Sequence, residues 1–274
     1  MRIEWRLLEA GFCTHPEVMV MRGGAWRPQQ FPALVAVLRH PHHGRVLFDT
    51  GYSEHFLQAT RALPESLYRS VTPVNFSNDR AVRSQLGVNA NAVKHVILSH
   101  FHGDHVGGLH DFPQARVHCS HAGWNDVRAR TRLDALRLGL LPQLLPVDFA
   151  ARVSFFESCT ERALPASLLP FERGFDVFGD GSVFAVALPG HAAGHFGICF
   201  RDTQERLVFL IGDAAWSSDA LESNRPPPAF VSGWLGDTRA YRDTLARLHE
   251  LRRRSPEVCL VPAHCRRWRA ETTQ

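Results

Sequence analysis

Lysine is nearly missing from this chain: the 31 basic residues are almost all arginine. Set against 27 acidic residues, they leave a formal net charge of +4 and a pI near 8.9. That is mildly basic and well short of the balance a nucleic-acid-binding domain carries. The one basic cluster, LRRRSPEV and CRRWR, reads as a solvated helix end and tail rather than a phosphate patch. No Cys-x-x-Cys occurs among the cysteines at 13, 119, 159, 199, 259 and 265, and several sit in apolar runs such as GICF. They read as reduced core residues, and Cys265, which follows a histidine of interest, is disfavoured as a ligand. No run approaches the roughly 18 apolar residues of a membrane span. MRIEWRLLEA has Arg2, Glu4, Arg6 and Glu9 where a signal peptide needs an apolar core. The cytoplasm is therefore the expected location. No Gly-x-Ser-x-Gly is present, so the serine nucleophile elbow is excluded. Repeats with a period of roughly 20–50 residues are also lacking. The 274 residues, 45% of them hydrophobic, suffice for a large core and read as one domain, 1–274.

What is there is a series of short apolar runs separated by turn residues. ALVAVLRH (33–40) and GRVLFDTG (44–51) flank PHHG and predict a hairpin. SNDRAVRSQLGV (77–88) predicts a helix with Ser77 near its N-cap and Gly87 at its end. AVKHVILSH, ARVHCS and EVCLVPAH read as single strands. FDVFGDGSVFAVALPGH puts a Gly-Asp-Gly turn between two strands, and GICFRDTQERLVFLIGD is a second hairpin turning at Asp202–Glu205. AYRDTLARLHELRRR (240–254) is an amphipathic helix with Tyr241, Leu245, Leu248 and Leu251 on one face. Residues 122–175, rich in Arg, Leu and Phe and broken by Pro142 and Pro146, read as a helical insertion. Covering a site and merely padding the fold carry equal weight for it.

The densest chemistry is in LSHFHGDHVGGL, where His100, His102, Asp104 and His105 fall within six residues. His-x-His in extended backbone points both imidazoles the same way. Gly103 lets the chain turn, and Asp104 and His105 follow. Four donors this close would crowd one metal, so two metals are the better inference. Five polar residues share a further habit. Asp49, His100, His191, Asp213 and His264 each follow an apolar strand immediately or within two residues. Strands packed in sheets would deliver them to one edge of the core.

HFHGDH, PGHAAGH, IGDAAW and PAHC, in that order after FDTG, resemble the metal-binding motifs of the metallo-β-lactamase superfamily. The likeness runs from Asp49 to His264, most of the chain. It implies an α/β fold, the four-layered αβ/βα sandwich, with the site at one edge of the paired sheets. It implies two divalent metal ions, zinc first among the candidates. His100, His102 and His191 would hold one, Asp104, His105 and His264 the other, and Asp213 would bridge both. Asp49 and His195 would stand behind the ligands, fixing their orientation. The implied chemistry is hydrolysis by a metal-activated hydroxide, with Asp104 relaying a proton.

Within the superfamily the chain is most similar to the N-acyl homoserine lactonases, the quorum-quenching subgroup. That implies a small-molecule substrate with an apolar portion, and Leu140, Leu141, Leu144, Phe149, Phe155 and Phe156 are candidates for its wall. Those lactonases carry a tyrosine three residues after the bridging aspartate, where this chain has Trp216. Trp216 is therefore expected to face substrate, with an indole that donates but cannot accept. Other readings stay open: a glyoxalase-II-like thioesterase, a β-lactam or other ester hydrolase, a mononuclear-iron sulfur dioxygenase, or a nuclease of the same fold. No nucleic-acid partner is expected. Oligomeric state is open, a homodimer being one option. Of the remaining histidines, His95 and His118 read as core or edge residues and His42 and His43 as turn residues. His110 and His121 are given only a small chance of a role.

Overall fold

The structure, a computed structural model, describes residues 1–87 and 92–273. The strands β1 (Glu4–Pro16), β2 (Pro28–His40), β3 (Gly44–Phe48), β4 (Val74–Asn75), β5 (Val93–Ile97), β6 (Arg116–Cys119) and β7 (Val153–Phe155) make one sheet. Its order is β4-β1-β2-β3-β5-β6-β7. A second sheet holds β8 (Glu161–Ala163), β9 (Arg173–Asp176), β10 (Val183–Ala187), β11 (Phe196–Arg201), β12 (Leu207–Gly212) and β13 (Cys259–Pro262), in the order β13-β12-β11-β10-β9-β8.

Strand alternation explains the layering. In β2, Leu34, Ala36 and Leu38 enter the core between the sheets, while Ala33, Val35 and Val37 enter the core under the first sheet's helices. In β12, Val208 and Leu210 face between the sheets, while Leu207, Phe209 and Ile211 meet Tyr241, Leu245, Leu248 and Leu251 of the helix Thr238–Arg254. Both faces of each sheet are thus buried, which is why these strands are apolar along their length rather than alternating. The result is the expected helix–sheet–sheet–helix sandwich. Strand direction then places the site. The pairs β3/β5 and β12/β13 are parallel, and β10 runs with β12 because β11 lies antiparallel to both. The residues that follow β3, β5, β10, β12 and β13 therefore emerge at strand C-terminal ends.

Three differences from the sequence reading have physical causes. β1 is one of the two longest strands, yet its alternating Arg and Glu concealed it. It pairs with β2 from Glu4↔Arg39 to Pro16↔Pro28, interrupted by a bulge between Glu9 and Phe12. The 77–88 segment is not one helix but a 3-10 turn, Asn78–Arg80, and a short helix, Val82–Leu86, ended by Gly87 at φ +59°. Ser77 makes no side-chain cap there, and Val88 lies outside the described residues. The 122–175 segment is α-helical only as far as Arg152, with two single 3-10 turns, Phe156–Ser158 and Ala166–Leu168, after it. Beyond it, β7 closes the edge of the first sheet and β8 and β9 the edge of the second. Short edge strands have few neighbours and carry little periodicity.

At the opposite ends of the parallel strands, His95 Nδ1 lies 2.9 Å from His118 Nε2, with Phe178 against both rings. His118 is a core residue as expected, but its Nδ1 is buried and has no partner among the described residues. Burial, then the neighbouring His43 and Arg116, pushes His95 down to about 4, and burial, then His95 and Arg116, pushes His118 to about 3. As pH falls below the ordinary 6.5, the unfolded imidazoles take up protons before the folded ones. Stability from this pair is therefore full above about 6.5 and falls as pH drops toward 4. A His95→Gln/His118→Gln variant should show a shallower fall in melting temperature over that range. Equal slopes in variant and parent would dismiss the pair as the cause.

Candidate metal centre

The expected ligands converge. One group joins His100, His102, His191 and Asp213, and another joins Asp104, His105 and His264, with the donor atoms of each within 4.8 Å of one another. All seven side chains are buried. His102 Nδ1 is 2.9 Å from His100 Nε2 and 3.0 Å from His191 Nε2. Asp213 connects the groups: its Oδ2 is 3.2 Å from His191 Nε2, and its Oδ1 is 3.1 Å from His264 Nε2 and 3.4 Å from His105 Nε2. Asp104 Oδ2 lies 3.4 Å from His264 Nε2.

Behind these side chains stands a hydrogen-bonded frame. Asp49, at the end of β3 with φ +64°, accepts from Ser99 N and Ser99 Oγ, both at 2.8 Å. The same Oδ2 takes the His105 Nδ1 proton at 2.8 Å, which turns His105 Nε2 into the site. His264 Nδ1 donates to Pro32 O at 2.8 Å, so its Nε2 also faces inward. His195 donates from Nδ1 to Leu188 O at 3.1 Å, and its Nε2 accepts from Asp213 N at 3.0 Å. That fixes the Asp213 backbone and gives His195 a positioning contact. His191 is set by a tight turn. A Cβ on Gly190 would lie 2.1 Å from Tyr241 N, so only glycine lets the start of the helix Thr238–Arg254 close on this loop.

The electrostatics suit a cation. Burial, reinforced by the neighbouring imidazoles, holds His100 and His102 well below 6.5, so both are neutral ligands at neutral pH. Around His105, burial is outweighed by Asp213, Asp49 and Asp104, which drive its pKa well up. Asp213 is held well below its ordinary value: burial opposes its charge, but His264, His105 and His191 prevail. Two buried atoms here, His105 Nε2 and Asp213 Oδ1, have no hydrogen-bond partner among the described residues. Unpartnered buried donors and acceptors are costly, and a divalent cation between them removes the cost. The donor set, imidazole and carboxylate with no thiolate, fits such an ion.

Other sequence candidates fall elsewhere. Trp216 does reach the centre: its ring is 4.8 Å from that of His264 and 6.4 Å from that of His191. Cys265 is buried against Ser218, not against the histidines. His110 stacks on His55, and His121 packs on Phe155. Of the supposed apolar wall, Leu140 bridges to His102 and Leu141 lies beside Gly103. Phe156 is instead in the core between the sheets, Phe149 packs on Phe101 and Trp124, and Leu144 is core. Ser99 went unnoticed in the sequence because serine carries no distinctive pattern. His40, His43 and Asp180 form a further group within 4.8 Å. There, His40 Nδ1 accepts from the backbone N–H of His42 and His43, so its proton is on Nε2, 2.7 Å from Ser182 Oγ. A metal would have to displace that proton, and the group reads as structural.

A family model described as the metallo-beta-lactamase superfamily matches residues 29–264. A probable metallo-hydrolase of Mycobacterium tuberculosis is 31% identical over 231 residues, covering 81% of this chain and 71% of that protein. An N-acyl homoserine lactonase of Azorhizobium caulinodans is 26% identical over 230 residues, 80% of this chain and 78% of that one. Among solved structures, an N-acyl homoserine lactone hydrolase with N-hexanoyl-L-homoserine at its catalytic metal centre superposes with a TM-score of 0.74. That match covers 98% of this chain and 96% of the other at 16% identity.

Proposed function

The chain belongs to the metallo-β-lactamase superfamily and is a metallo-hydrolase, and on that footing we propose that it opens a lactone or related ester at a two-metal centre. The observation that carries this reading is Asp213 standing between two groups of buried donors, with Oδ1 otherwise unpartnered. His100, His102 and His191 would hold one ion, Asp104, His105 and His264 the other, with Asp213 shared; zinc suits these ligands. Bound there, the ions supply Lewis acidity and a water acidic enough to ionise near neutral pH.

The chain's own residues supply the rest. Asp49 keeps the His105 proton on Nδ1, so that Nε2 remains a ligand. Asp104 is the carboxylate with room to act, since its oxygens accept no hydrogen bond from a backbone or hydroxyl group among the described residues. It takes a proton from the attacking water and returns it to the leaving oxygen. Beside His102 a crevice bordered by Asp126, Val127, Leu138, Leu140 and Leu235 measures about 10 Å³, room for a water and not for an acyl chain. The lactonase relative and the lactone hydrolase neighbour make N-acyl homoserine lactones the first substrates to try.

A panel of lactones, thioesters and β-lactams, run on protein of measured metal content, tests this reading. Turnover of lactones with about two ions per chain is the expected result. One iron per chain and no hydrolysis would sink it. Trp216 gives a finer test. Trp216→Tyr adds a hydroxyl beside His264 and should raise kcat/KM on lactones by up to about tenfold, the value of one good hydrogen bond. Unchanged kinetics across the panel would mean that residue 216 does not meet substrate.

A further inference from the structure

Resting on the hydrolase reading, one hydroxyl beside the centre still lacks a task. Tyr68 stands on the helix Ser66–Val71. A Cβ built on Gly139 would lie 3.7 Å from Tyr68 Cε2 and 3.8 Å from His102 Nε2. Cε2 adjoins the carbon that bears the hydroxyl, so the polar half of the ring borders Gly139, across which lies the His102 ring. Edge-on packing against Phe56, at 5.4 Å between ring centres, steadies the ring. Among the described residues the hydroxyl has no hydrogen-bond partner. Burial, then Asp104, Cys13 and Asp213, pushes the phenol pKa well up. The group therefore remains a donor at neutral pH and does not become an anion competing for the cations.

Tyr52 is the rival phenol. Its hydroxyl is turned to the Cys13 thiol, and the residue is 1% exposed and packed edge-on against Phe56. A hydroxyl closed off in this way cannot meet a substrate, whereas Tyr68 is only half-buried. Trp216 lies against His264 and His191, not beside Gly139.

The short helix that carries Tyr68 is pinned from its first turn. Glu65, buried, accepts two parallel bonds from Arg132, Nε at 2.6 Å and Nη2 at 2.7 Å, and a third from Gln143 at 2.7 Å. Arg132 opens the helix Arg132–Arg137, and the chain just beyond it supplies Gly139 and Leu140, which bridges to His102. A two-pronged carboxylate–guanidinium pair is directional as well as strong. It therefore fixes the Tyr68 helix relative to the segment that touches His102. A six-residue helix with Leu67 and Val71 exposed would not hold that position by packing alone.

We propose that the Tyr68 hydroxyl donates a hydrogen bond to the substrate carbonyl oxygen as it becomes the oxyanion, with Glu65 and Arg132 positioning it. The proton stays on tyrosine, and no bond to it forms or breaks. The assay uses N-hexanoyl-L-homoserine lactone, or the panel member that the parent opens fastest. Tyr68→Phe should keep the parental metal content and lower kcat by about a hundredfold, the usual cost of one oxyanion donor. KM should stay within about twofold, because the bond is made chiefly in the transition state. The ring-opened product, whose carboxylate keeps an oxygen for this donor, should bind about tenfold more weakly by calorimetry. Glu65→Gln should lower kcat in the same sense, and adding it to Tyr68→Phe should cost little more, since both act through one hydroxyl. Parental kcat and product affinity in Tyr68→Phe overturn the assignment and leave the hydrolase reading intact. Multiplying effects in the double variant overturn the positioning role of Glu65. A metal-loaded parent that opens no lactone or ester overturns the underlying reading instead.

Discussion

Asp213→Ala should reduce hydrolysis by a factor of about a thousand or more, because the several kcal/mol that a metal centre supplies to the transition state depend on it. No other substitution at the centre should cost as much. The Asp213 carboxylate lies within 3.2 Å of His191 Nε2 in one group and 3.1 Å of His264 Nε2 in the other. Removing it leaves buried imidazoles facing one another without the charge that, on the proposed reading, would let two cations sit side by side. Asp49→Ala should be milder. Asp49 touches His105 and Ser99 but offers nothing directly to a cation, so its loss should cost about 10- to 100-fold in metal affinity or activity. Metal content and kcat/KM of the two variants and the parent decide the matter. Parental activity in Asp213→Ala would remove that residue from the centre, and an Asp49→Ala defect equal to that of Asp213→Ala would deny the bridge its special place.

Stripping the protein with a chelator should abolish turnover and also lower its melting temperature by on the order of 10 °C. An ion held at a thousand times its dissociation constant contributes about 4 kcal/mol, and the folded chain alone presents the assembled donors. Without the ion, His105 Nε2 and Asp213 Oδ1 remain buried without a hydrogen bond, and the carboxylates around them are balanced only by protons on His105 and His264. That protonated state is a poor substitute, since the cation binds only when the proton leaves. Adding back zinc, manganese, cobalt or iron one at a time, with activity and melting temperature measured together, would identify the effective metal. Full activity and an unshifted melting curve after verified metal removal would refute a metal-dependent mechanism.

Four of the candidate donors, His100, His191, Asp213 and His264, were legible in the sequence because each stands where an apolar run stops, as does Asp49 behind them, while His102, Asp104 and His105 were legible from their closeness to His100. A strand buried on both faces is continuous in apolar residues and its end is abrupt. The same rule exposed most of the strands, and one-faced periodicity exposed the helix ending at Arg254. It failed at β1, whose Arg and Glu alternation imitates a solvated segment, and at β7 and β8, which are three residues each. Too few side chains then sample either period. The apolar wall was misread for a related reason: Leu140 and Phe156 are equally hydrophobic, but one bridges to His102 and the other fills the space between the sheets.

By itself, then, the sequence determined which side chains can bind a cation, their order, and the edge of the sheets to which they are delivered. These properties depend on residue type and local periodicity. Only the tertiary structure decided that Ser99 and Asp49 together orient His105, that His195 holds the Asp213 backbone, and that Tyr68 arrives beside His102. Such meetings join segments far apart in the chain through strand pairing, the Glu65–Arg132 fork and turns such as Gly190. No local pattern encodes them, because the energy that fixes each contact is gained only when both partners have already folded into place.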